Sequence, residues 1–136
     1  MARVLFADDD ADIRELGRLL LTKQGHDGVV ASDGGAAIAM LPLVSPDLVI
    51  TDINMPEQDG LAVCEAVRST PALQAIPVVL LTALPSMDER VVRASATANA
   101  VVLIKTDIAR LGERADSLVA GSRDAAEEDR PNTEVD

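Results

Sequence analysis

Two kinds of apolar pattern alternate along this chain. Short continuous runs rich in Val, Leu and Ile predict strands buried on both faces of a sheet, at residues 3–7, 28–31, 47–51, 78–81 and 100–104. Between and after these runs, apolar residues recur every three or four positions, which predicts helices. The regular alternation and the short connections predict right-handed crossovers and a parallel sheet with helices on both faces.

Turn and breaker residues delimit the predicted helices. The first helix follows Asp10 and is closed by Gly25, and the second is ended by Pro42. The third and fourth cover residues 61–68 and 87–96, and the fifth begins near Asp107. Their core-facing residues are expected to be Ile13, Leu16 and Leu20, then Ala37, Met40 and Leu41, then Leu61, Cys64 and Val67, then Val91 and Val92, and finally Ile108, Leu111, Ala115 and Leu118.

Two reactive residue types occur once each, and the pattern gives neither of them a functional role. Cys64 is the only cysteine, which excludes an internal disulfide and a cysteine-based zinc site. Its helical spacing predicts a core position. His26 lies in a predicted loop beside Gly25 with no second histidine in the chain, so we expect it to be exposed and without a ligand.

Composition narrows the classes of protein to which the chain can belong. Its 136 residues suffice for one domain with a real core, and Phe6 is the only aromatic residue. No aromatic surface therefore exists for stacking nucleic-acid bases. A formal net charge of −11 disfavours direct binding to nucleic acid or to an anionic membrane surface. The chain shows no signal-peptide pattern and no apolar run of membrane-spanning length, so a soluble cytoplasmic protein is expected.

The last part of the chain differs from the rest in composition. Residues 122–136 contain six acidic residues, two arginines and a single valine. Such a segment is too polar to form a packed core and is predicted to be a disordered acidic tail. Residues 1–121 are therefore predicted to form the domain.

Polar side chains follow four of the five predicted strands at their carboxyl ends. They are Asp8 and Asp9, then Asp52, then Thr82, then Lys105. Parallel strands place all of them on one rim of the sheet, where carboxylates repel one another unless a cation lies among them. Hard carboxylate oxygens suit Mg²⁺, and a hydroxyl and an ammonium beside that ion suit a transferred phosphoryl group. A carboxylate at such a site can be the nucleophile and become an aspartyl-phosphate.

At these residues the chain resembles the receiver domain of two-component response regulators, from about residue 3 to residue 120. The matching stretches are residues 4–10, 47–60, 77–83 and Lys105. The resemblance implies a flavodoxin-like, doubly wound α/β sandwich with five parallel strands in the order 2-1-3-4-5 and five helices.

The resemblance also implies roles for individual residues. Asp52 would accept a phosphoryl group from a sensor histidine kinase or a phosphotransfer protein. Mg²⁺ would be held by Asp8, Asp9, Asp52 and the main-chain carbonyl of Asn54. Thr82 would donate a hydrogen bond to the phosphoryl oxygens, and Lys105 would pair with them. The protein would be a phosphoacceptor rather than an enzyme, with at most slow self-dephosphorylation.

The sequence departs from the family pattern on its signalling side. The site lysine of family members is usually followed by a proline in a cis bond, whereas Thr106 follows Lys105 here, so a trans bond is expected. The fifth predicted strand, residues 100–104, also lacks the usual Tyr or Phe. We therefore expect the acceptor chemistry to be intact and the usual aromatic switch to be absent.

Two alternatives are compatible with parts of the sequence. A pseudo-receiver would keep the fold and act as a binding module without phosphorylation. A haloacid-dehalogenase-like phosphatase would use the Asp8–Asp10 run, but this reading leaves residues 52–60 unexplained.

Since no DNA-binding or catalytic output domain follows, a stand-alone receiver is expected, with output to another protein or a second copy. Its contact surface would be formed by the fourth helix, the fifth strand and the last helix.

Overall fold

A parallel sheet forms the centre of the computed structural model, which describes residues 2–55, 58–83, 89–98 and 100–128. Its five strands are β1 (Arg3–Ala7), β2 (Asp27–Ala31), β3 (Leu48–Asp52), β4 (Val78–Thr82) and β5 (Val101–Ile104). They lie in the order β2-β1-β3-β4-β5, and every neighbouring pair is parallel. The predicted fold class and strand order are thereby confirmed.

Five α-helices connect and follow the strands. They are α1 (Ala11–Lys23), α2 (Gly34–Val44), α3 (Gly60–Ser69), α4 (Glu89–Ala98) and α5 (Leu111–Glu128), with short 3-10 helices at Pro71–Leu73 and Lys105–Arg110. An aspartate caps each of the first three: Asp10, Asp33 and Asp59 accept hydrogen bonds from backbone N–H groups in the first turn. Residues 87 and 88 of the predicted fourth helix lie outside the described residues.

Alternate residues of the strands fill two separate cores, one on each face of the sheet. On one face Leu5, Val49 and Leu80 pack with Val63 and Cys64 of α3 and with Leu41 of α2. On the other face Phe6, Ile50 and Leu81 pack with Leu21 of α1 and Leu111 of α5. Because strands β3 and β4 are buried along their whole length, both faces of the sheet are covered, as predicted.

The buried face of α1 is rotated from the predicted one. Gly17 and Leu21 are buried, whereas Leu16 is 40% exposed. The reason is the ring of Phe6, since a β-carbon on Gly17 would lie 2.6 Å from it. Only a glycine lets α1 approach the sheet over this ring. The sequence pattern considered apolar side chains alone and therefore did not predict that the glycine faces the core.

Pro42 does not end the second helix as predicted. It lies inside α2, which continues to Val44 and is capped by Ser45 in the left-handed conformation. A proline near the end of a helix removes one N–H donor, and the tertiary packing of Ala37 and Leu41 keeps the helix in place.

The predictions for the end of the chain are corrected in two places. A 3-10 helix covers Lys105–Arg110, so that the last α-helix begins at Leu111 rather than near Asp107. It then runs to Glu128, which makes residues 122–128 of the predicted disordered tail helical. The remainder of that prediction falls on residues 129–136, which lie outside the described residues. None of the described helices is long and apolar enough to cross a membrane.

The prediction that His26 is exposed and has no role was wrong. Gly25, with φ of +83°, turns the chain back into the sheet at once, and His26 is only 9% exposed. Its Nδ1 accepts a hydrogen bond from the backbone N–H of Ala2 at 3.2 Å, and its Nε2 contacts the carboxylate of Asp116 in α5. Because Nδ1 is an acceptor, Nε2 must carry the proton that is donated to Asp116. The ring thereby joins the start of the sheet to α5.

Replacing His26 should therefore destabilise the fold. In His26→Ala the N–H of Ala2 loses its buried acceptor, and we expect the free energy of unfolding to fall by about 1–3 kcal/mol. Urea denaturation followed by circular dichroism measures this change. Asp116→Asn retains an acceptor oxygen for Nε2 and serves as the matched control, with an expected loss of under about 1 kcal/mol. Equal stability of His26→Ala and the wild type would contradict the assigned role.

Cys64 should react slowly with thiol reagents in the native state. It is 1% exposed, and burial raises the pKa of its thiol to about 11. Because the thiolate is the reactive form, the rate of its reaction with a disulfide reagent should still rise with pH well above the ordinary pKa of 9.0. Stopped-flow measurements with a disulfide reagent, in buffer and in urea, test this expectation. A native rate that equals the rate in urea at the same pH would show that the thiol is accessible.

Candidate functional site

The carboxyl ends of four strands converge on one rim of the sheet, as the sequence predicts. Asp8 follows β1, Asp52 is the last residue of β3, Thr82 is the last residue of β4, and Lys105 follows β5. Strands β1 and β3 are neighbours, so the two aspartates lie side by side. This is the point at which the order of the strands reverses direction, where open α/β sheets leave a crevice.

Three carboxylates and one ammonium meet at this rim. One oxygen from each of Asp8, Asp9 and Asp52 lies within 4.8 Å of the others. The Nζ atom of Lys105 lies 3.0 Å from Asp8 Oδ2 and 3.1 Å from Asp52 Oδ2. Within the described part of the chain, the cluster therefore carries three potential negative charges against a single positive one.

The members of the cluster differ in their exposure to solvent. Asp8, Asp52 and Thr82 are 0%, 6% and 1% exposed, whereas Asp9 is an exposed residue. A ligand that approached from the side of Asp9 would thus meet two buried carboxylates beneath it.

Backbone groups fix one oxygen of each buried carboxylate and leave the other directed at Lys105. Asp8 Oδ1 accepts the N–H of Asp10 at 2.9 Å, and Asp52 Oδ1 accepts the N–H of Asn54 at 3.3 Å. The two Oδ2 atoms both face the ammonium of Lys105. Their orientation is therefore set by the loops that follow β1 and β3.

Arg14 is a residue of this region that the sequence analysis missed. From the first turns of α1 its Nη1 donates a hydrogen bond to the main-chain carbonyl of Asp8 at 2.8 Å. The contact ties the loop after β1 to α1. An arginine one turn into a helix that follows an acidic loop could have signalled it.

The charges of the cluster shift the pKa values of its members. Burial, followed by the charge of Asp8, raises the pKa of Asp52, and Lys105 and the N–H of Asn54 offset only part of this rise. Burial alone would lower the pKa of Lys105, but its close contacts with the charges of Asp8 and Asp52 outweigh burial and raise it. The cationic form of Lys105 is therefore favoured, and ionisation of Asp52 is less favourable here than for a carboxyl group in water.

The residues at the rim fit a magnesium ion. Asp8 Oδ2 is buried, and among the described residues none gives it a hydrogen bond, since Lys105 Nζ lies close to it without hydrogen-bond geometry. A buried carboxylate oxygen without a hydrogen bond, next to two further carboxylates, offers the hard oxygen ligands that Mg²⁺ prefers. A bound cation would also favour the ionised form of Asp52.

The departures noted in the sequence are present in the structure. No peptide bond in the described part of the chain is cis, so Lys105 and Thr106 are joined by a trans bond, as predicted. The 3-10 helix begins at Lys105 itself, yet the ammonium reaches both aspartates. Ala83 is an exposed residue beside Thr82. Pro56, within the matching stretch of residues 47–60, lies outside the described residues.

A comparison with protein families agrees with this geometry. The family model described as the response regulator receiver domain matches residues 4–116. The chain belongs to this family. It is thus a receiver domain of the two-component type, a family whose members bind Mg²⁺ at an aspartate cluster and receive phosphoryl groups from histidine kinases.

The sequence similarity to a curated relative covers only part of that relative. Response regulator MprA of Mycolicibacterium vanbaalenii is 40% identical over 89 residues, which are 65% of this chain and 38% of that protein. The chain therefore matches less than half of the length of this curated relative.

Solved receiver structures superpose on most of the chain. The receiver domain of the Francisella response regulator 1452 has a TM-score of 0.79 at 27% identity and covers 90% of this chain and 99% of that one. The signal receiver domain of a signal transduction histidine kinase from Syntrophus aciditrophicus has a TM-score of 0.79 at 32% identity and covers 89% and 92%.

The charge balance of the rim predicts a specific response to magnesium. Mg²⁺ should raise the melting temperature of the wild type. A ligand that binds only the folded state raises the free energy of unfolding by about 2.7 kcal/mol when its concentration is 100 times its dissociation constant. Asp8→Asn should abolish this increment. Without metal this variant should be at least as stable as the wild type, since one of three repelling carboxylates is gone. Differential scanning calorimetry with and without Mg²⁺ measures both effects.

Asp12→Asn is the matched control for that experiment. Asp12 is an exposed acid in the first turn of α1, outside the carboxylate cluster. Its variant should respond to Mg²⁺ like the wild type. An Asp8→Asn protein with an undiminished Mg²⁺ response would show that the ion binds elsewhere.

Proposed function

We propose that this chain is a phosphoacceptor in which Asp52 receives a phosphoryl group from a sensor histidine kinase or a phosphotransfer protein. The observation that carries the proposal is the double contact of Lys105, whose ammonium lies about equally close to Asp8 and Asp52. One cation cannot neutralise the three carboxylates of the rim. The site is therefore arranged to take up further positive charge together with a phosphoryl group.

The side chains have distinct roles in this reaction. The ionised carboxylate of Asp52 is the nucleophile that attacks phosphorus while the bond to the donor breaks. Lys105 supplies a positive charge to the phosphoryl oxygens, and Thr82, buried at the end of the neighbouring strand, supplies a hydroxyl. Mg²⁺, held by Asp8, Asp9, Asp52 and the carbonyl of Asn54, would neutralise charge that builds up on the phosphoryl oxygens.

The proposed output is contact with another protein or with a second copy of the chain. Next to the edge strand β5, a groove of about 380 Å³ lies between the strand and the start of α5. Val102, Arg110 and Arg114 are among the residues that line it. The groove is bordered by β5 and α5, two of the three elements of the surface that we propose for signalling, which also includes α4. We propose no direct contact with nucleic acid or membrane.

Two further parts of the proposal follow the sequence analysis. The domain acts as a cytoplasmic receiver, and its only turnover is slow self-dephosphorylation. Membership of the receiver family leaves the phosphatase alternative without support. The pseudo-receiver remains the second candidate because β5 has no aromatic residue.

Phosphorylation by a small-molecule donor tests the proposal directly. Incubation with acetyl phosphate and Mg²⁺ should add the mass of one phosphoryl group to the intact protein, and Asp52→Asn should abolish this gain. Asp47→Asn is the matched control, since Asp47 lies at the opposite end of the same strand, where its carboxylate accepts the N–H of Arg3. Intact-mass spectrometry reads out all three proteins.

The same samples separate the alternatives. Wild type without any mass gain, even at high Mg²⁺, supports a pseudo-receiver. Release of phosphate from a generic phosphomonoester that is abolished by Asp8→Asn but not by Asp52→Asn would instead revive the phosphatase alternative.

A further inference from the structure

Two glycines at helix starts lie in very close contact with the segment that follows Asp52. A β-carbon on Gly34, the first residue of α2, would lie 2.0 Å from the main-chain oxygen of Gln58. A β-carbon on Gly60, the first residue of α3, would lie 2.3 Å from the main-chain oxygen of Asp52. Neither glycine has a positive φ, so close approach and not backbone conformation requires them.

The two contacts act on the same short loop. The N–H of Gly60 donates a hydrogen bond to the carbonyl of Ile53 at 2.9 Å, which closes the loop after β3. Gln58 lies two residues before Gly60, and Gly34 presses on its carbonyl from a different helix. A displacement of Gln58 is therefore transmitted through Gly60 to the backbone of Asp52 and Ile53.

The loop is the part that would yield if Gly34 gained a side chain. Helix α2 is anchored in the core by Ala37 and Leu41, and its start is fixed by a 2.7 Å hydrogen bond from the N–H of Ala36 to Asp33. Asn54 and Gln58, in contrast, are exposed loop residues. Since contacts of β-carbons under 3.0 Å essentially never occur, the carbonyl of Gln58 would have to move by about 1 Å, a distance sufficient to impair a reaction site.

We infer that Gly34 is a positioning residue, which sets the place of the loop after Asp52 and thereby the geometry of the magnesium and phosphoryl site. It touches no proposed ligand and acts only through the backbone of residues 58–60. The inference rests on the proposed function, because it assigns Gly34 a part in that same site.

Gly34→Ala tests the inference, with Gly35→Ala as the matched control. A β-carbon on Gly35 would have Asp33 Oδ1 as its nearest neighbour at an ordinary 3.4 Å, so this change adds the same atom one residue away without a clash. Gly34→Ala should lower the affinity for Mg²⁺ by roughly 10-fold, as expected when the support of a metal ligand is disturbed. Gly35→Ala should bind like the wild type. Isothermal titration calorimetry measures both affinities.

A readout without metal distinguishes positioning from a general loss of stability. In Gly34→Ala the amide of Gly60 should exchange with solvent faster relative to the amides of β3, because its acceptor at Ile53 is displaced. Hydrogen exchange followed by NMR measures this ratio.

At saturating Mg²⁺ the rate of phosphorylation of Gly34→Ala by acetyl phosphate should recover partly, since weaker metal binding is then overcome.

The outcomes of the proposed function and of this inference can be told apart. If the wild type is not phosphorylated and does not bind Mg²⁺, the proposed function fails, whereas exchange at Gly60 still reports on the loop. If Gly34→Ala keeps both wild-type Mg²⁺ affinity and wild-type exchange at Gly60, the positioning role is overturned. Should Gly34→Ala not fold, the double variant Gly34→Ala/Gly35→Ala adds helix propensity to α2. Failure of both variants to fold would assign Gly34 to the fold alone and also overturn the inference.

Discussion

One ammonium between two buried carboxylates is the constraint on which the rest of this site depends. Lys105 contacts Asp8 and Asp52 at the same time, and with Asp9 the rim has three acids for one base. Removing such charges from water is costly unless each finds a partner. Burial, followed by the charge of Asp8, raises the pKa of Asp52, and Asp8 Oδ2 accepts no hydrogen bond within the described part of the chain. A bound cation would relieve this imbalance, whereas a phosphoryl group would add negative charge and so increase the need for that cation.

The sheet topology makes this arrangement possible. Asp8 and Asp52 come from adjacent strands, β1 and β3, and the order of the sheet changes direction between them. Parallel strands bring their carboxyl ends to one rim, so residues that are 44 positions apart in number become neighbours. Aspartate caps and close-packed glycines then hold the connecting loops. The chemistry therefore depends on ordinary features of backbone packing as much as on the reactive side chains.

The sequence predicted the strands and the members of the carboxylate cluster because each rests on a local signal, whereas the order of the strands was implied by the resemblance to receiver domains. Apolar runs indicate buried strands, and the residue after each run must lie at its end. The features that were missed are tertiary. His26 is buried because it meets Asp116, 90 positions later, and α1 is rotated because Gly17 lies over the ring of Phe6. The contact of Gly34 with Gln58 is of the same kind. Periodicity records which residues are apolar, but it does not record which backbone segments come close.

The prediction of a disordered tail was wrong in part for a second reason, since composition and helix formation are different properties. Residues 122–128 are too polar to form a core of their own, which suggested disorder. They follow a helix that is already packed on the sheet through Leu111, Ala115 and Val119, so each further residue extends an existing helix rather than starting one. Extension of a helix is far less costly than nucleation.

The departures from the family pattern lie on the edge strand, and this limits their effect on the acceptor chemistry. Strand β5 is the last in the sheet, and only Leu103 of its four residues is buried. The two buried carboxylates belong instead to the central strands, whose positions do not depend on an aromatic residue in β5. Lys105 is the one contribution from the edge, and it reaches both aspartates with a trans bond to Thr106. The proposed acceptor site and the proposed signalling surface therefore share the end of β5 at Lys105, but the carboxylates of the site follow or end other strands.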